Sequence, residues 1–251
     1  MALPQLNIAT FNTHKGLSSF NLRLTMHEQR LLIRKLQADI LFLQEICGAH
    51  DRHHDLPYRG QYHFLSEDGW NFAVYGQNAT RAKGHHGNAI FSKYPIVRWE
   101  NENISESRVE QRGLLHAEIA VPGLDKHLHC ICVHLGLMGR WRTRQILALS
   151  ERVQHMVPKD APMIVAGDFN DWRQKASLVL KQQNLYEVFE QMHGIHARSF
   201  PSTLPIFRLD RIYVRGFDVH ACHVHHSLAN IGMSDHVALS ARLTGNGYVG
   251  R

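Results

Sequence analysis

The sequence predicts one mixed α/β domain, and three observations carry that expectation. Short apolar runs with strand-like character, such as residues 6–11, 40–43 and 130–133, recur along the chain. Between them lie segments whose apolar side chains fall at helical spacing, most clearly residues 140–157. No Pro/Gly/Ser-rich linker, internal repeat or low-complexity run divides the 251 residues, of which 44% are hydrophobic. A chain of this size can bury a large core, and a single domain of two or four layers meets these conditions.

Composition narrows the function classes. The formal charge is +6 with all 20 histidines counted as neutral, so the surface favours phosphate polymers, anionic lipid or phosphorylated small molecules as partners. The start of the sequence, Met-Ala-Leu-Pro-Gln, lacks a basic region followed by an apolar core, and no apolar stretch approaches membrane-spanning length. The four cysteines, Cys47, Cys130, Cys132 and Cys222, lack zinc-type spacing and read as buried thiols, which makes the cytoplasm the expected location.

Taken in order, residues 6–11 alternate like a strand that ends at Asn12, with Lys15-Gly16 in a turn behind it. Thr25 with Glu28 resembles a capping box, and Leu31, Leu32 and Leu36 give the next segment a helical stripe for the core. The continuous apolar run 40–43 is expected as a strand buried on both faces and closed by Gln44-Glu45. A glutamate there is costly to bury unpaired, so it is either a metal ligand or a rim residue. The stretch from 49 to about 61 carries His50, Asp51, His53, His54 and Asp55, which fit a solvated loop better than a zinc site of fixed spacing.

Residues 72–75 read as a strand, 81–86 as a basic loop ending in Gly84-His85-His86-Gly87, and 88–96 as a strand closed by Pro95. After a charged stretch, strands 114–120 and 128–133 flank the turn Val121-Pro122-Gly123, and the second ends at His134. The helix over 140–157 should bury Ile146, Leu149, Val153 and Met156, while Arg140, Arg142 and Arg144 oppose its dipole and face water or an anionic ligand. The run 163–166 delivers Gly167-Asp168-Phe169-Asn170, with Asp168 and Asn170 pointing the same way. Helical patterns around 178–180 and 185–192 stop at His193-Gly194. Residues 207–214 place Asp210 on the apolar face of Ile212 and Val214, where a carboxylate needs a partner; strands 217–224 and 237–243 follow, the latter after Ser234-Asp235-His236.

Polar residues thus recur at strand ends: Asn12, Glu45, His134, Asp168 with Asn170, Asp210, and Asp235 with His236. Carboxylates with a carboxamide suit a hard divalent ion such as Mg2+, which keeps waters that a phosphate can displace. A histidine with a buried carboxylate partner serves as a general base or an electrostatic stabiliser, and the remaining amide and imidazole can steady phosphate oxygens.

The ordered set Phe11-Asn12, Leu43-Gln44-Glu45, Val133-His134-Leu135, Gly167-Asp168-Phe169-Asn170, Leu209-Asp210-Arg211 and Ser234-Asp235-His236 resembles the endonuclease/exonuclease/phosphatase (DNase I-like) superfamily. That superfamily includes DNase I, exonuclease III and the neutral sphingomyelinases. Gly84-His85-His86-Gly87-Asn88, the run from Gly167 to Lys175 (Gly-Asp-Phe-Asn-Asp-Trp-Arg-Gln-Lys) and the run from Arg208 to Val214 (Arg-Leu-Asp-Arg-Ile-Tyr-Val) resemble its small bacterial YbhP-like branch. The resemblance spans nearly the whole chain and implies a four-layer α/β/β/α sandwich, two packed mixed β-sheets flanked by helices, as one domain over 1–251 with a core of about 6–243 and a loose tail. It implies Glu45 as principal Mg2+ ligand, with Asn12 and Asp235 nearby and Mn2+ as a possible substitute. Asp168 would orient or deprotonate the attacking water, Asn170 and His134 would contact phosphate, and Asp210 would pair with His236.

One feature departs from the nuclease pattern, in which the counterpart of His134 pairs with a glutamate on a neighbouring strand; here that region reads His85-His86-Gly87-Asn88, which leaves His86 near substrate or in a plain loop. No long insertion of the kind that abasic-site enzymes push into a duplex is present, so base flipping is not expected. The leading expectation is a monomeric Mg2+-dependent nuclease acting on DNA, with Arg112 and Arg173 among the substrate-facing cations beside Arg81, Lys83, Arg140, Arg142 and Lys175. Trp141 and Trp172 would either stack on nucleotides or simply pack. The alternative is a phosphodiesterase or phosphatase of phospholipid or small-molecule substrates. A catalytically inert phosphate-binding module and a zinc-binding protein rank below both.

Overall fold

A computed structural model of the protein describes residues 3–20, 23–50, 60–67, 69–81, 84–227 and 231–247, with Ala49, His50 and Arg81 described in backbone only. Asp51, His53, His54, Asp55 and Lys83, and the last residues of the tail, lie outside the described residues.

Two six-stranded sheets form the centre. The strands are β1 (Gln5–Asn12), β2 (Ile40–His50), β3 (Phe72–Arg81), β4 (Gly84–Ser92), β5 (Ile96–Asn103), β6 (Gly113–Ile119), β7 (Leu128–His134), β8 (Met163–Asp168), β9 (Tyr186–Glu187), β10 (Asp210–Arg215), β11 (Phe217–Val224) and β12 (Leu239–Gly245). One sheet runs β11-β12-β1-β2-β4-β3 and the other β5-β6-β7-β8-β10-β9. Each is mixed, with one parallel pair at its middle, β1 with β2 and β7 with β8. The helices are α1 (Met26–Lys35), α2 (Gln61–Ser66), α3 (Gly139–Met156), α4 (Lys175–Lys181) and α5 (Val188–His193). None is long and apolar enough to cross a membrane among the described residues.

Strand alternation sorts the side chains into layers. Leu6, Ile8, Ile40 and Phe42 of the first sheet meet Leu115, Cys130, Ile164 and Ile212 of the second in the central core. Their neighbours one residue on point outward: Ala9, Leu41 and Leu43, with Phe11 further along β1, pack under α1 and α2. On the opposite side Val133, Val165 and Tyr213 pack under α3 and α4. The result is the α/β/β/α sandwich, in which the middle strands are buried on both faces and therefore read as unbroken apolar runs. All four cysteines are buried free thiols.

Several local expectations need correction. Thr25 does precede α1, but its hydroxyl donates to the Met233 carbonyl (2.6 Å) instead of capping, and Glu28 pairs with Arg23. Leu31 is exposed and Ile33 takes its place in the core, because the stripe is set by the packing of α1 and not by leucine alone. Met156 likewise faces outward at the end of α3. The supposed basic loop is shorter than expected: His85 and His86 belong to β4, paired with β3 and β2. The charged stretch after Pro95 is largely β5, an edge strand whose polar side chains fit its exposed position. Glu45 does not end β2, which continues to His50 across an irregularity between Leu43 and Ile46.

Candidate functional site

Strand register assembles the site. In the parallel pair β7/β8 His134 lies opposite Asp168, and in the antiparallel pair β8/β10 Asp168 lies opposite Asp210. Three neighbouring strand ends thus carry an imidazole and two carboxylates side by side. Gly167 makes this spacing possible: with φ at 144°, a Cβ there would sit 2.0 Å from the Val133 carbonyl oxygen. From the other sheet, β1 ends at Asn12, whose Nδ2 donates to Asp168 Oδ2 at 3.1 Å. Glu45 sits at the β2 irregularity with φ 53°, a bulge that re-aims its side chain out of the strand alternation.

Asp168 is the hub. Its Oδ1 accepts the Asn170 N–H (2.9 Å), and its Oδ2 lies 3.4 Å from His134 Nε2 and 3.7 Å from His236 Nε2. His236 Nδ1 is 2.7 Å from Asp210 Oδ2. Asn170, at φ 48°, donates from Nδ2 to the Leu135 carbonyl at 2.9 Å. Ser234 joins the two sides: its hydroxyl donates to the Asn12 carbonyl (2.7 Å) and accepts the His236 N–H (3.2 Å).

Burial gives these groups unequal proton affinities. Loss of water pushes the Asp168 carboxyl above the usual carboxylate range, with the Asp210 charge adding to the rise and His236 opposing it. Burial also disfavours a charged His236, but the Asp210 and Asp168 carboxylates outweigh it and hold the imidazolium. His134 goes the other way, kept neutral by burial and by the neighbouring Arg112. Desolvation opposes the charge on Glu45 as well, yet the Lys15 ammonium, which donates to its Oε2, holds its carboxyl well below the ordinary range.

Two groupings have the chemistry for a divalent cation. Asp168, Asp210 and His236 offer ligand atoms that lie within 4.8 Å of one another. Glu45 and Asp235 form the second, more open one, on either side of His14 Nδ1, which sits 4.0 Å from Glu45 Oε2 and 3.2 Å from Asp235 Oδ1. Asn12 is tied to the same turn, its Oδ1 accepting the His14 backbone N–H at 3.0 Å.

Cavities flank the centre on two sides. One of about 420 Å³ is lined by Lys15, Glu45, His85, His86, Glu110 and Arg112 among others. There Arg112 is engaged by Glu110 (3.1 Å) and the Leu135 carbonyl (3.3 Å), and His86 projects from β4. The other, about 450 Å³, is lined by Arg140, Arg142, Asp171, Trp172, Arg173 and Lys175 among others. Arg142 is buried and donates to the Gly136 and Leu137 carbonyls (3.0 and 2.9 Å), which answers how a basic residue is tolerated at the start of α3. Its guanidinium also lies 5.3 Å from the Trp172 ring. Trp172 contacts Phe207 at 6.2 Å between centroids, and Phe207 reaches His236 through Phe200 (6.4 and 4.9 Å).

Asn12, Glu45, His134, Asp168, Asn170, Asp210, Asp235 and His236 are therefore gathered at one rim. Arg112 and His86 flank it on one side and Arg173 on the other. Asn88 is buried and donates to the Gly113 and Cys132 carbonyls (3.0 and 3.3 Å), a strut between the sheets. Sequence reasoning missed His14 and Lys15, which looked like ordinary turn residues, and Asp171, whose Oδ2 accepts the Ala176 N–H (2.8 Å) at the start of α4. The Lys15-Gly16 turn immediately after Asn12 was the available signal.

Comparison with known proteins agrees with this architecture. YbhP of Escherichia coli (strain K12) is 43% identical over 241 residues, covering 94% of this chain and 95% of YbhP. Zebrafish (D. rerio) TDP2 complexed with a single-strand DNA product has a similar fold (TM-score 0.68, 17% identity, 95% of this chain and 98% of that one). So does the mannosyl-6-phosphatase Bt3783 of Bacteroides thetaiotaomicron (TM-score 0.72, 18% identity, 95% and 99%). Residues 9–236 match the Endonuclease/Exonuclease/phosphatase family, and the chain belongs to that family.

Proposed function

We propose that the protein is a divalent-metal-dependent phosphodiesterase and that DNA is its substrate. The observation that carries the hydrolase reading is the placement of Asp168 between His134 and His236, with Asn12 and Asn170 fixing its orientation. The raised proton affinity of Asp168 suits it to take a proton from an attacking water. His236, charged and backed by Asp210, is placed to hold a phosphoryl oxygen, and His134 to donate a neutral hydrogen bond to another.

Glu45, Asp235 and Asn12 would hold the metal. Their donors are all oxygen, which fits a hard ion such as Mg2+ or Mn2+. The Asp168, Asp210 and His236 grouping fits less well, because both ring nitrogens of His236 already face carboxylates. When bound, the ion supplies positive charge against the phosphoryl oxygens.

The DNA reading rests on the second cavity, where Arg140, Arg173 and Lys175 surround the half-exposed Trp172. Cations that track a backbone beside a stacking platform suit a nucleic acid strand, and among similar folds TDP2 was seen with single-strand DNA. A second reading, phospholipid hydrolysis, is favoured by the apolar loop beside His236, where Leu204 is 70%, Ile206 50% and Phe207 44% exposed. A panel of single-stranded DNA, duplex DNA, RNA and phospholipid vesicles with Mg2+ tests these readings. Cleavage of DNA is expected; turnover of phospholipid alone would replace the first reading with the second, and inertness toward all four would overturn both.

A further inference from the structure

The turn that follows β1 carries an imidazole and an ammonium into the site by an unusual backbone route. His14, Lys15 and Gly16 all have positive φ (46°, 58° and 74°), a conformation that L side chains rarely adopt in succession. The turn is fastened on every side. Thr13 N–H and its hydroxyl both donate to the Gln44 carbonyl (2.9 and 3.0 Å), Gly16 N–H donates to the Thr13 carbonyl (2.9 Å), and Thr25 N–H donates to the Gly16 carbonyl (2.8 Å). Backbone strain of this kind persists where the surroundings hold it, and it concentrates at functional sites. Its consequence here is to set the Lys15 ammonium 2.5 Å from Glu45 Oε2.

We propose that Lys15 is a movable counter-ion: it holds Glu45 while no metal is bound and, displaced by a divalent cation, grips a non-scissile phosphate of the substrate from the adjoining cavity. The proposal rests on the reading of Glu45 as a metal ligand. A divalent ion and an ammonium cannot share one carboxylate oxygen at contact distance without strong repulsion. Lysine suits the exchange, because its charge is compact and its four-carbon stem is flexible. The displaced ammonium has somewhere to go: Lys15 is one-third exposed and lines the cavity of about 420 Å³ that also holds His86 and Arg112. There Arg112 is already engaged by Glu110, so Lys15 would be the cation that arrives with the metal.

Calorimetric titration of the full-length chain with Mn2+ alone, and with inorganic phosphate in the presence of saturating Mn2+, tests the exchange. Removing the competing ammonium in Lys15→Met should tighten Mn2+ binding at least five-fold and weaken phosphate binding about ten-fold. Lys15→Arg should restore phosphate binding, and Glu45→Gln should abolish Mn2+ binding. Circular dichroism of each variant establishes that it is folded. Equal or weaker Mn2+ binding by a folded Lys15→Met, or unchanged phosphate binding, would overturn the proposal while leaving the hydrolase reading intact. Failure of both the wild type and Lys15→Met to bind Mn2+ would overturn the two together.

Discussion

His236 and Asp210, brought together from positions 26 residues apart, share a 2.7 Å contact through Nδ1 and Oδ2. The contact fixes the ring so that Nε2 faces Asp168, and it is a main reason why His236 keeps its proton despite burial. Asp210→Asn keeps the shape and removes the charge, so the His236 pKa should fall. NMR titration of the imidazole measures that fall directly. Turnover should drop by about 10² or more, in line with the loss of a positioned acid-base partner; a His236 that still titrates high would show that Asp210 is not what sustains it.

Gly167 should tolerate no side chain. A Cβ would press into the Val133 carbonyl and would also require an unfavourable φ. Gly167→Ala should cost about 2 kcal/mol or more of stability. It should also lower activity beyond what the loss of folded protein explains, because β7 and β8 carry His134 and Asp168 in register. Urea denaturation paired with turnover per folded molecule checks both parts.

Much of this was legible in the sequence because buried central strands are unbroken apolar runs, and the site residues are the polar groups that end them. Asp168, His134 and Asp210 could be found that way. What periodicity could not supply was position relative to tertiary partners. The Thr25 hydroxyl turned to the Met233 carbonyl, Arg142 was drawn inward by loop carbonyls, and β5 carried charges because it lies at an edge. His14 and Lys15 escaped notice because a turn of positive φ leaves no apolar pattern, and their role depends on Glu45, some 30 residues away.

A histidine pair remote from the site makes stability depend on pH. His116 Nε2 lies 2.9 Å from His129 Nδ1 in a buried position, with Arg152 Nε 3.3 Å from the other His116 nitrogen. Burial pushes His116 down to about 3 from an ordinary 6.5 and lowers His129 as well. The unfolded chain therefore binds the extra protons: the stability is complete above the unfolded value of 6.5 and is lost as the pH falls below it. For His116 alone the loss is about 2 kcal/mol at pH 5. Denaturation at pH 7.5 and 5.0 should show a smaller acid penalty in His116→Gln than in the wild type, and equal penalties would remove the pair from the explanation.

The second cavity should reveal itself through salt. If Arg173 and Lys175 meet DNA phosphates, replacing each with alanine should weaken binding at low salt and reduce the slope of log affinity against log salt by about 0.9 per contact on duplex DNA. Fluorescence anisotropy across a salt series measures this, with catalytic turnover at saturating substrate largely preserved. Slopes identical to that of the wild type would place the DNA elsewhere.

Hydrolysis of bis(p-nitrophenyl) phosphate, a diester that needs neither nucleic acid nor lipid recognition, tests the central claim most directly when wild type, Glu45→Gln and Asp168→Asn are compared with Mg2+ and with chelator. Metal-dependent turnover in the wild type should be lost on chelation and reduced by about 10² or more in each variant. Undiminished turnover in folded Asp168→Asn, or turnover that survives chelation, would contradict a metal-dependent phosphodiesterase centred on Asp168.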